Sequence, residues 1–368
     1  MKIRGKVMAI LILFAAFACA ACGGSGSGGG GVSGNVYVTG VALNKSATII
    51  FVGNTEQLTA TITPSNATNK NTSWTSSDSS TATVSSNGLV TAAALGVATI
   101  TVTTADGGFK ATCTVTVSVA APDNAWWYYN LTPSQIDSYV SSNNGRIISL
   151  QVEQISPIIF TVAMVQNTGS FAKTWWWFFD LTRGQMETKL TDLNARITYF
   201  DAYDVNGTTY FAAVLLSNTG ADMKKWWWYD GQTQAQVDAL VQQNNARLIN
   251  LHGYMTGAGM RYAVVMISNT GADTKTSWYY CGITATQITS YIEQYSAILI
   301  NLEPADSNGS TFNVIMEHNL IREYWWYYYG STATQLSDHL AVLGAWVLDL
   351  KSYFPSGSRR FISVLRKL

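Results

Sequence analysis

The sequence is poor in charged residues. Only 12% of its 368 residues are charged, and the 22 basic residues equal the 22 acidic ones in number. Three of the basic residues lie in the first 21 positions, so the rest of the chain has 19 basic against 22 acidic residues. A basic footprint for nucleic acid is absent. We therefore expect no nucleic-acid partner.

Cysteine and histidine are also scarce. The chain has four cysteines and three histidines: Cys19, Cys22, Cys113, Cys281, His252, His318 and His339. Cys113 and Cys281 fall in different predicted domains, so a disulfide framework is not supported. The histidines are spread over three segments and lack the spacing of zinc ligands. We predict no metal site and no cofactor.

Long apolar runs are missing as well. The run over 7–21 has 15 residues, fewer than the roughly 20 that a membrane-spanning helix needs, and it follows Lys2, Arg4 and Lys6. This pattern predicts a signal peptide over residues 1–21. The run ends Cys19-Ala20-Ala21-Cys22, which resembles the bacterial lipobox and implies that Cys22 is lipidated. A plain secretory signal is the alternative.

A flexible tether is predicted over residues 22–35. Residues 23–34 include eight Gly and three Ser, a composition typical of a flexible coil. Gly23 after Cys22 resembles the pattern for sorting to an outer membrane. We expect a protein of the bacterial cell envelope, lipid-anchored at the outer membrane or cell surface, with the membrane as a partner.

Residues 36–119 predict an all-β sandwich. Leu58, Ala60 and Ile62 alternate with threonines, and closely spaced turn signals follow, as in antiparallel sheets. The motifs include Gly53-Asn54-Thr55, Pro64-Ser65-Asn66-Ala67-Thr68, Gly88-Leu89-Val90-Thr91-Ala92 and Gly96-Val97-Ala98-Thr99-Ile100. In these motifs the segment resembles bacterial immunoglobulin-like domains of group 2. The resemblance implies a stalk or adhesion module without catalytic residues.

A Thr-x-x-Gln motif recurs five times in the remaining chain. The threonines are Thr132, Thr182, Thr233, Thr284 and Thr332, and the glutamines three positions later are Gln135, Gln185, Gln236, Gln287 and Gln335. An apolar helical pattern follows each copy, which is typical of a helix capping box. We predict structural capping by all ten residues, and a set of five catalytic glutamines is the alternative.

Each copy of the motif lies within a predicted β-α-β-β repeat. An aromatic run precedes each helix, and two apolar strands follow it. The predicted repeats are 125–174, 175–225, 226–276, 277–324 and 325–368, within a domain over 120–368. The whole chain is therefore predicted as multidomain: an immunoglobulin-like sandwich followed by an α+β repeat array, arranged as a curved solenoid or a closed five-unit ring.

The repeats resemble the bacterial tandem repeat domain of polyglycine hydrolases and β-lactamase-associated proteins. The resemblance lies in the aromatic strand, in the Thr-x-x-Gln helix and in the next strand, which starts with a small residue followed by arginine. This resemblance implies the alternative function, a hydrolase or an accessory subunit. Ser170-Phe171-Ala172-Lys173 spells a Ser-x-x-Lys motif, but it follows Asn-Thr-Gly in a loop instead of opening a helix. We predict no catalytic residues.

Candidate ligand-binding residues come from the aromatic runs and from a recurring arginine. They are Trp127, Trp177, Trp228, Trp278, Trp326, Arg146, Arg196 and Arg247. Flat rings suit stacking on sugars or on an extended peptide, whereas burial of the rings between repeats is the structural alternative. The arginines either pair with a neighbouring repeat or bind carboxylates or phosphates. The predicted function is a membrane-anchored surface lipoprotein acting as a binding or adhesion module for an envelope polysaccharide or peptide.

Overall fold

The computed structural model of the chain describes residues 34–118, 122–321 and 323–367. The predicted signal peptide, Cys22 and most of the predicted tether lie outside the described residues. In the part that is described, no helix has the length and apolar character needed to cross a membrane. The fold is mostly β.

The first folded segment is a β-sandwich of nine strands. They are β1 Gly40–Leu43, β2 Ala47–Phe51, β3 Thr55–Gln57, β4 Ala60–Thr63, β5 Thr72–Ser76, β6 Ala82–Val84, β7 Leu89–Ala92, β8 Gly96–Thr104 and β9 Lys110–Ser118. The main sheets have the orders β2-β9-β8-β5 and β3-β7-β6, and β1 pairs with β4. Leu58, Ile100 and Cys113 are fully buried in the core, with Trp74 packed against it.

One strand pair differs from the predicted antiparallel arrangement. β2 pairs with β9 in parallel, whereas the other pairs of this segment are antiparallel. Residue alternation is the same in both kinds of pairing because side chains alternate between faces in any strand. The sequence pattern therefore predicts the strands but not the direction of this pair.

The second folded segment repeats the order strand, helix, strand, strand five times. The first strands are β10 Ala125–Leu131, β13 Trp175–Leu181, β16 Trp226–Gln232, β19 Ser277–Thr284 and β22 Tyr324–Ser331. The helices are α1 Pro133–Ser142, α2 Arg183–Asp192, α3 Gln234–Asn244, α4 Ala285–Tyr295 and α5 Ala333–Leu343. The second strands are β11 Gly145–Ile155, β14 Ala195–Val205, β17 Ala246–Thr256, β20 Ala297–Pro304 and β23 Trp346–Tyr353. The third strands are β12 Ile158–Gln166, β15 Thr208–Ser217, β18 Gly259–Ser268, β21 Thr311–His318 and β24 Arg360–Lys367.

Each repeat forms its own antiparallel three-stranded sheet, with the third strand in the middle. A bulge interrupts every second strand at the same place, for example between Ile147 and Ser149. Because a bulge shifts the alternation of side chains, Ile147 and Leu150 both face the helix side and are buried in the first repeat's core. Ser149 and Gln151 are thereby turned to the opposite face.

That opposite face packs on the preceding repeat. The core of the second repeat includes Tyr254, Ala263 and Val265 from the third. In the same way Ala163 of the first repeat lies in a buried cluster with Leu336 of the fifth. Each sheet thus has one face on its own helix and the other on a neighbouring repeat, so neither face of the sheet is left to water.

Candidate functional site

The five Thr-x-x-Gln motifs form helix caps. In each copy the Thr hydroxyl accepts a hydrogen bond from the backbone N–H of the Gln, and the Gln side chain accepts one from the Thr backbone N–H. At Thr233 these two distances are 3.3 and 2.8 Å. Both side chains are therefore engaged in local backbone contacts that stabilise the helix start.

The five glutamines of these motifs do not form a common site. Each uses its side-chain carbonyl oxygen to accept from the backbone N–H of its own capping Thr, at 2.8 to 2.9 Å. The residues that share this contact are Gln135, Gln185, Gln236, Gln287 and Gln335. A set of five catalytic glutamines, the alternative interpretation of the motif, therefore has no support in the geometry.

The aromatic runs present alternate side chains to two different surroundings. Trp176 and Phe178 pack on the core of their own repeat, whereas Trp175, Trp177 and Phe179 pack on the core of the first repeat. Such alternation is what an extended strand produces. The rings of the first strands are therefore shared between their own helix and the preceding repeat.

The five candidate tryptophans fall at two different positions of the repeat. Trp127, Trp177 and Trp228 each lie five residues before the capping Thr, and each packs edge-on against a phenylalanine of the neighbouring repeat at 5.4 to 5.8 Å between ring centroids. Trp278 and Trp326 lie six residues before that Thr and pack on their own repeat. All five are half-buried.

The candidate arginines are largely buried. Arg196 and Arg247 each donate, at 3.5 Å, to a backbone carbonyl in a 3-10 turn. Arg247 also forms a buried ion pair with Glu317. Burial lowers the pKa of Arg146 to about 10, and its Nε has no hydrogen-bond partner among the described residues. The arginines therefore lie inside the repeat packing, where two of the three hold turns.

A side chain bridges the helix of one repeat to the aromatic strand of the next at four junctions. Trp177 Nε1 donates to Asp137 at 2.9 Å. Arg183 lies over the ring of Trp228 at 4.7 Å. The hydroxyl of Tyr279 donates to Asp238, and those of Tyr327 and Thr289 lie 2.9 Å apart. These contacts hold each helix against the next strand.

The junction between the fifth and first repeats differs. Trp127 occupies the position of Trp177 and Trp228, and Ser337 occupies that of Asp137 in the fifth helix. Within the described ranges, no hydrogen bond joins Ser337 to Trp127. A serine side chain is shorter than aspartate and carries no charge, which explains why this junction is left without the bridge that Asp137 provides.

Two shallow depressions lie at this unbridged junction. The first, of about 560 Å³, is lined by Asp123, Trp126, Trp127, Ser337, Trp346 and Lys367 among others. The second, of about 550 Å³, shares Trp127 and Ser337 with the first and adds Tyr129 and Tyr139. We call the two together the junction groove. Their volumes lie within the range of small-ligand sites.

In the described lining of the junction groove, charged side chains are confined to the first depression. The indole N–H of Trp346 is buried and has no hydrogen-bond partner among the described residues. Asp123 and Lys367 line the same depression, and both are exposed. A carboxylate acceptor and an ammonium donor thus lie beside the aromatic side chains of this depression. This combination can hold a molecule that carries both hydroxyl groups and a flat face.

A buried polar cluster joins the second strands of several repeats. Asp349 of the fifth repeat accepts from Ser149 of the first at 2.9 Å and from Tyr199 of the second. Its other oxygen accepts from the Asn301 side chain at 3.1 Å and from the Leu302 backbone at 2.8 Å, both in the fourth repeat. One carboxylate therefore contacts three other repeats. A buried carboxylate needs this number of donors to offset its loss of water.

The second strands carry a second set of polar residues, two positions after Ser149, Asp349 and their equivalents. This set consists of Gln151, Asp201, His252, Glu303 and Lys351. Three of them accept from a backbone N–H of the preceding repeat. Val152 donates to Asp201 at 2.6 Å and Gly253 to Glu303 at 2.6 Å. Ser352 of the fifth repeat donates to Gln151 of the first at 2.6 Å. In the fourth repeat the residue equivalent to Val152 is Pro304, which has no N–H to donate.

His252 lies between two carboxylates. Its Nε2 is 2.9 Å from Asp201 Oδ1 and 3.0 Å from the Ala202 carbonyl, and its Nδ1 is 3.0 Å from Glu303 Oε2. Burial alone would lower the pKa of His252, but Asp201 and Glu303 outweigh it and raise the pKa to about 10. The imidazole is therefore protonated at neutral pH, so it neither binds a metal nor acts as a base.

The Ser-x-x-Lys motif lies in a 3-10 turn, Gly169–Phe171, and not at the start of an α-helix. Lys173 forms an ion pair with Asp222 of the second repeat at 2.7 Å.

Burial raises the pKa of Cys281 to about 11, so this thiol is protonated and unreactive at neutral pH. In the described part of the chain, no group of three or more His, Cys, Asp or Glu side chains fits a metal ion.

Comparison with known proteins identifies the first folded segment. Residues 37–115 match the model of the bacterial Ig-like domain (group 2). This segment is a bacterial Ig-like domain. The predicted resemblance of the first segment to bacterial immunoglobulin-like domains of group 2 is thus confirmed, and the chain is a protein with a surface-type Ig-like domain. The resemblance of the repeats to those of polyglycine hydrolases stays a prediction.

Relatives share only part of the chain. An uncharacterized protein of Clostridium acetobutylicum is 40% identical over 107 residues, which are 28% of this chain and 27% of that protein. An alpha-L-arabinofuranosidase of Bifidobacterium longum is 49% identical over 87 residues, 24% of this chain and 8% of the enzyme. The chain thus spans about a quarter or less of the length of these relatives.

Among solved structures, domains 5–6 of the S-layer protein SbsC align with 52% of this chain and 89% of that chain. The TM-score is 0.21 and the sequence identity 17%. These values describe a weak likeness.

Proposed function

We propose that the protein is a bacterial surface lipoprotein, anchored through Cys22, whose five repeats close into a ring that binds carbohydrate in the junction groove. The Ig-like domain serves as the spacer between the anchor and the repeats. The signal peptide, the lipobox-like Cys22 and the Gly/Ser tether support the anchored location. One relative is named an alpha-L-arabinofuranosidase, which fits a protein that works among carbohydrates.

Closure into a ring is supported by contacts between the first and last repeats. Gln151 of the first repeat accepts from the Ser352 backbone of the fifth at 2.6 Å, as Asp201 and Glu303 accept from their own preceding repeats. The same pairing rule therefore operates at the junction that joins the two ends of the array. An open solenoid would leave the partners of these groups in water at its two ends.

The observation that carries the binding proposal is the unbridged indole of Trp127. At the other junctions the aromatic strand is held by a side chain of the preceding helix, whereas Trp127 faces Ser337 across a groove. Sugar rings stack on flat aromatic surfaces through their C–H faces and use their hydroxyls as donors and acceptors. Lys367 and Asp123 supply the matching polar groups.

The binding proposal is tested by rebuilding the missing bridge. Ser337→Asp places a carboxylate where Asp137 meets Trp177, so Trp127 Nε1 gains an acceptor and the groove closes. Ser337→Ala is the matched control, because it leaves the groove open. We expect wild type and Ser337→Ala to be retained on an immobilised polysaccharide, and Ser337→Asp to be lost from it without a fall in melting temperature.

Equal retention of Ser337→Asp and wild type would contradict a site in this groove. Failure of the wild type to bind any polysaccharide, together with Ser337-dependent binding of an extended envelope peptide, would contradict carbohydrate as the ligand. The melting temperature of each variant separates loss of binding from loss of folding.

The anchor is tested by Cys22→Ala. We expect this variant to leave the membrane fraction while its melting temperature stays that of the wild type, because the lipid is attached outside the folded domains. A wild-type protein that is released from the membrane fraction and has no acyl mass would contradict anchoring, and it would leave the groove proposal standing.

A further inference from the structure

We infer that the junction groove takes a linear oligosaccharide whose chain runs along strand β10 and crosses both depressions, with Trp127 at the crossing point. This inference rests on the proposed carbohydrate function and narrows its ligand class. It excludes a monosaccharide or a compact branched oligosaccharide as the preferred ligand.

The two depressions are continuous. Both are lined by Trp127, Tyr128 and Ser337. The first extends back along the strand to Pro122, and the second extends forward to Leu131. The strand between these ends, Ala125–Leu131, has seven residues and is therefore about 20 Å long at the usual rise of a strand. One sugar ring is too short to cover such a track.

The two depressions differ in chemistry. The first has the only charged side chains of the groove's described lining, Asp123 and Lys367. The second has no charged lining residue and is walled by Tyr129 and Tyr139, whose exposed fractions are 38% and 36%. The first depression can therefore fix a sugar through charged hydrogen-bonding groups, whereas the second offers tyrosine rings for stacking and uncharged hydroxyls such as that of Thr334.

The stacking wall of the second depression is held in place by other contacts. Tyr139 stacks on Tyr128 with ring centroids 4.0 Å apart. The Tyr128 hydroxyl accepts from the Asn143 side chain at 3.0 Å, and Tyr129 lies under the guanidinium of Arg359 at 5.0 Å. These rings are oriented before any ligand arrives, which lowers the entropy cost of binding.

The inference is tested with oligosaccharides of defined length, glucose and N-acetylglucosamine β-1,4-oligomers from monomer to hexamer, titrated calorimetrically against the full folded chain. We expect affinity to rise with length until both depressions are filled. Asp123→Ala should weaken binding of short and long oligomers alike. Tyr139→Ala should weaken only the long ones, by about 3- to 10-fold, the usual effect of one aromatic stacking contact.

Tyr291→Ala is the matched control. Tyr291 is the equivalent helix residue of the fourth repeat and stacks on Tyr280 at 4.2 Å, away from the junction groove. Equal affinity for dimer and hexamer, or equal effects of the Tyr139 and Tyr291 changes on hexamer binding, would overturn the inference while leaving carbohydrate binding intact. Absence of binding at every length, for both sugars and for immobilised polysaccharide, would overturn the proposed function and this inference with it.

Discussion

The Ser149 hydroxyl donates to Asp349 Oδ1 at 2.9 Å, although 200 residues separate the two in sequence. The backbone N–H of Leu350 returns a hydrogen bond to Ser149 Oγ at 3.0 Å. Both side chains are buried. The first and fifth repeats therefore meet through a shielded hydrogen-bonded pair, at the place where the two ends of the repeat array would otherwise be open.

Removal of this contact should destabilise the protein. We predict that Ser149→Ala lowers the free energy of unfolding by about 2 kcal/mol, because it removes a buried hydrogen bond to a charged group. Thr198→Val is the control, since its hydroxyl donates at 3.2 Å to Val214 within the same sheet and should cost about 1 kcal/mol or less. Urea unfolding measures both. A smaller effect for Ser149→Ala than for Thr198→Val would contradict the proposed closure.

The charged state of His252 should appear in the pH dependence of stability. Its folded pKa of about 10 lies above the usual value of 6.5, so the stability it contributes is fully present below about pH 6.5 and is lost as pH rises towards 10. We predict that the stability difference between wild type and His252→Gln is largest near pH 6 and shrinks towards pH 10. The exposed His318, changed to Gln, is the control. A difference that stays constant from pH 6 to pH 10 would count against the charged imidazole.

The helix caps should contribute to the stability of the fold and not to ligand binding. We predict that Thr233→Ala lowers the free energy of unfolding by about 1 kcal/mol, the usual cost of losing an N-cap side chain, and leaves retention on polysaccharide nearly unchanged. Thermal unfolding and column retention are measured on the same sample. Unchanged melting with lost retention would reassign Thr233 to a ligand site.

Local signals explain what the sequence could predict. Thr and Gln three residues apart determine a capping box without help from distant residues, so the five helix starts follow from the motif alone. Sequence composition groups Trp278 and Trp326 with Trp127 because each is a tryptophan in an aromatic run. Their distance from the capping Thr differs by one residue, and in a strand one residue changes the face.

The buried polar cluster cannot be predicted from simple alternation, because each second strand has a bulge that shifts its side chains to the other face. Strict alternation places Ser149 on the same face as Ile147, whereas the bulge makes Ile147 and Leu150 the core pair. A signal is nevertheless present: a polar residue or tyrosine occurs fourteen residues after every capping Gln, at Ser149, Tyr199, Asn250, Asn301 and Asp349. A fixed polar position within an apolar strand indicates inward pairing between repeats. The position of Ser337 at an unbridged junction follows from the packing of the first repeat against the fifth. No local sequence pattern contains this information.

The most direct test of the central claim is hydrogen–deuterium exchange with and without a bound β-1,4-linked hexasaccharide. Ligand in the junction groove should slow exchange in the segments 125–131 and 333–346. The equivalent segments at a bridged junction away from the groove, 226–232 and 183–196, should exchange as before. Equal protection of all five aromatic strands, or protection confined to the Ig-like domain, would contradict binding at the junction of the fifth and first repeats.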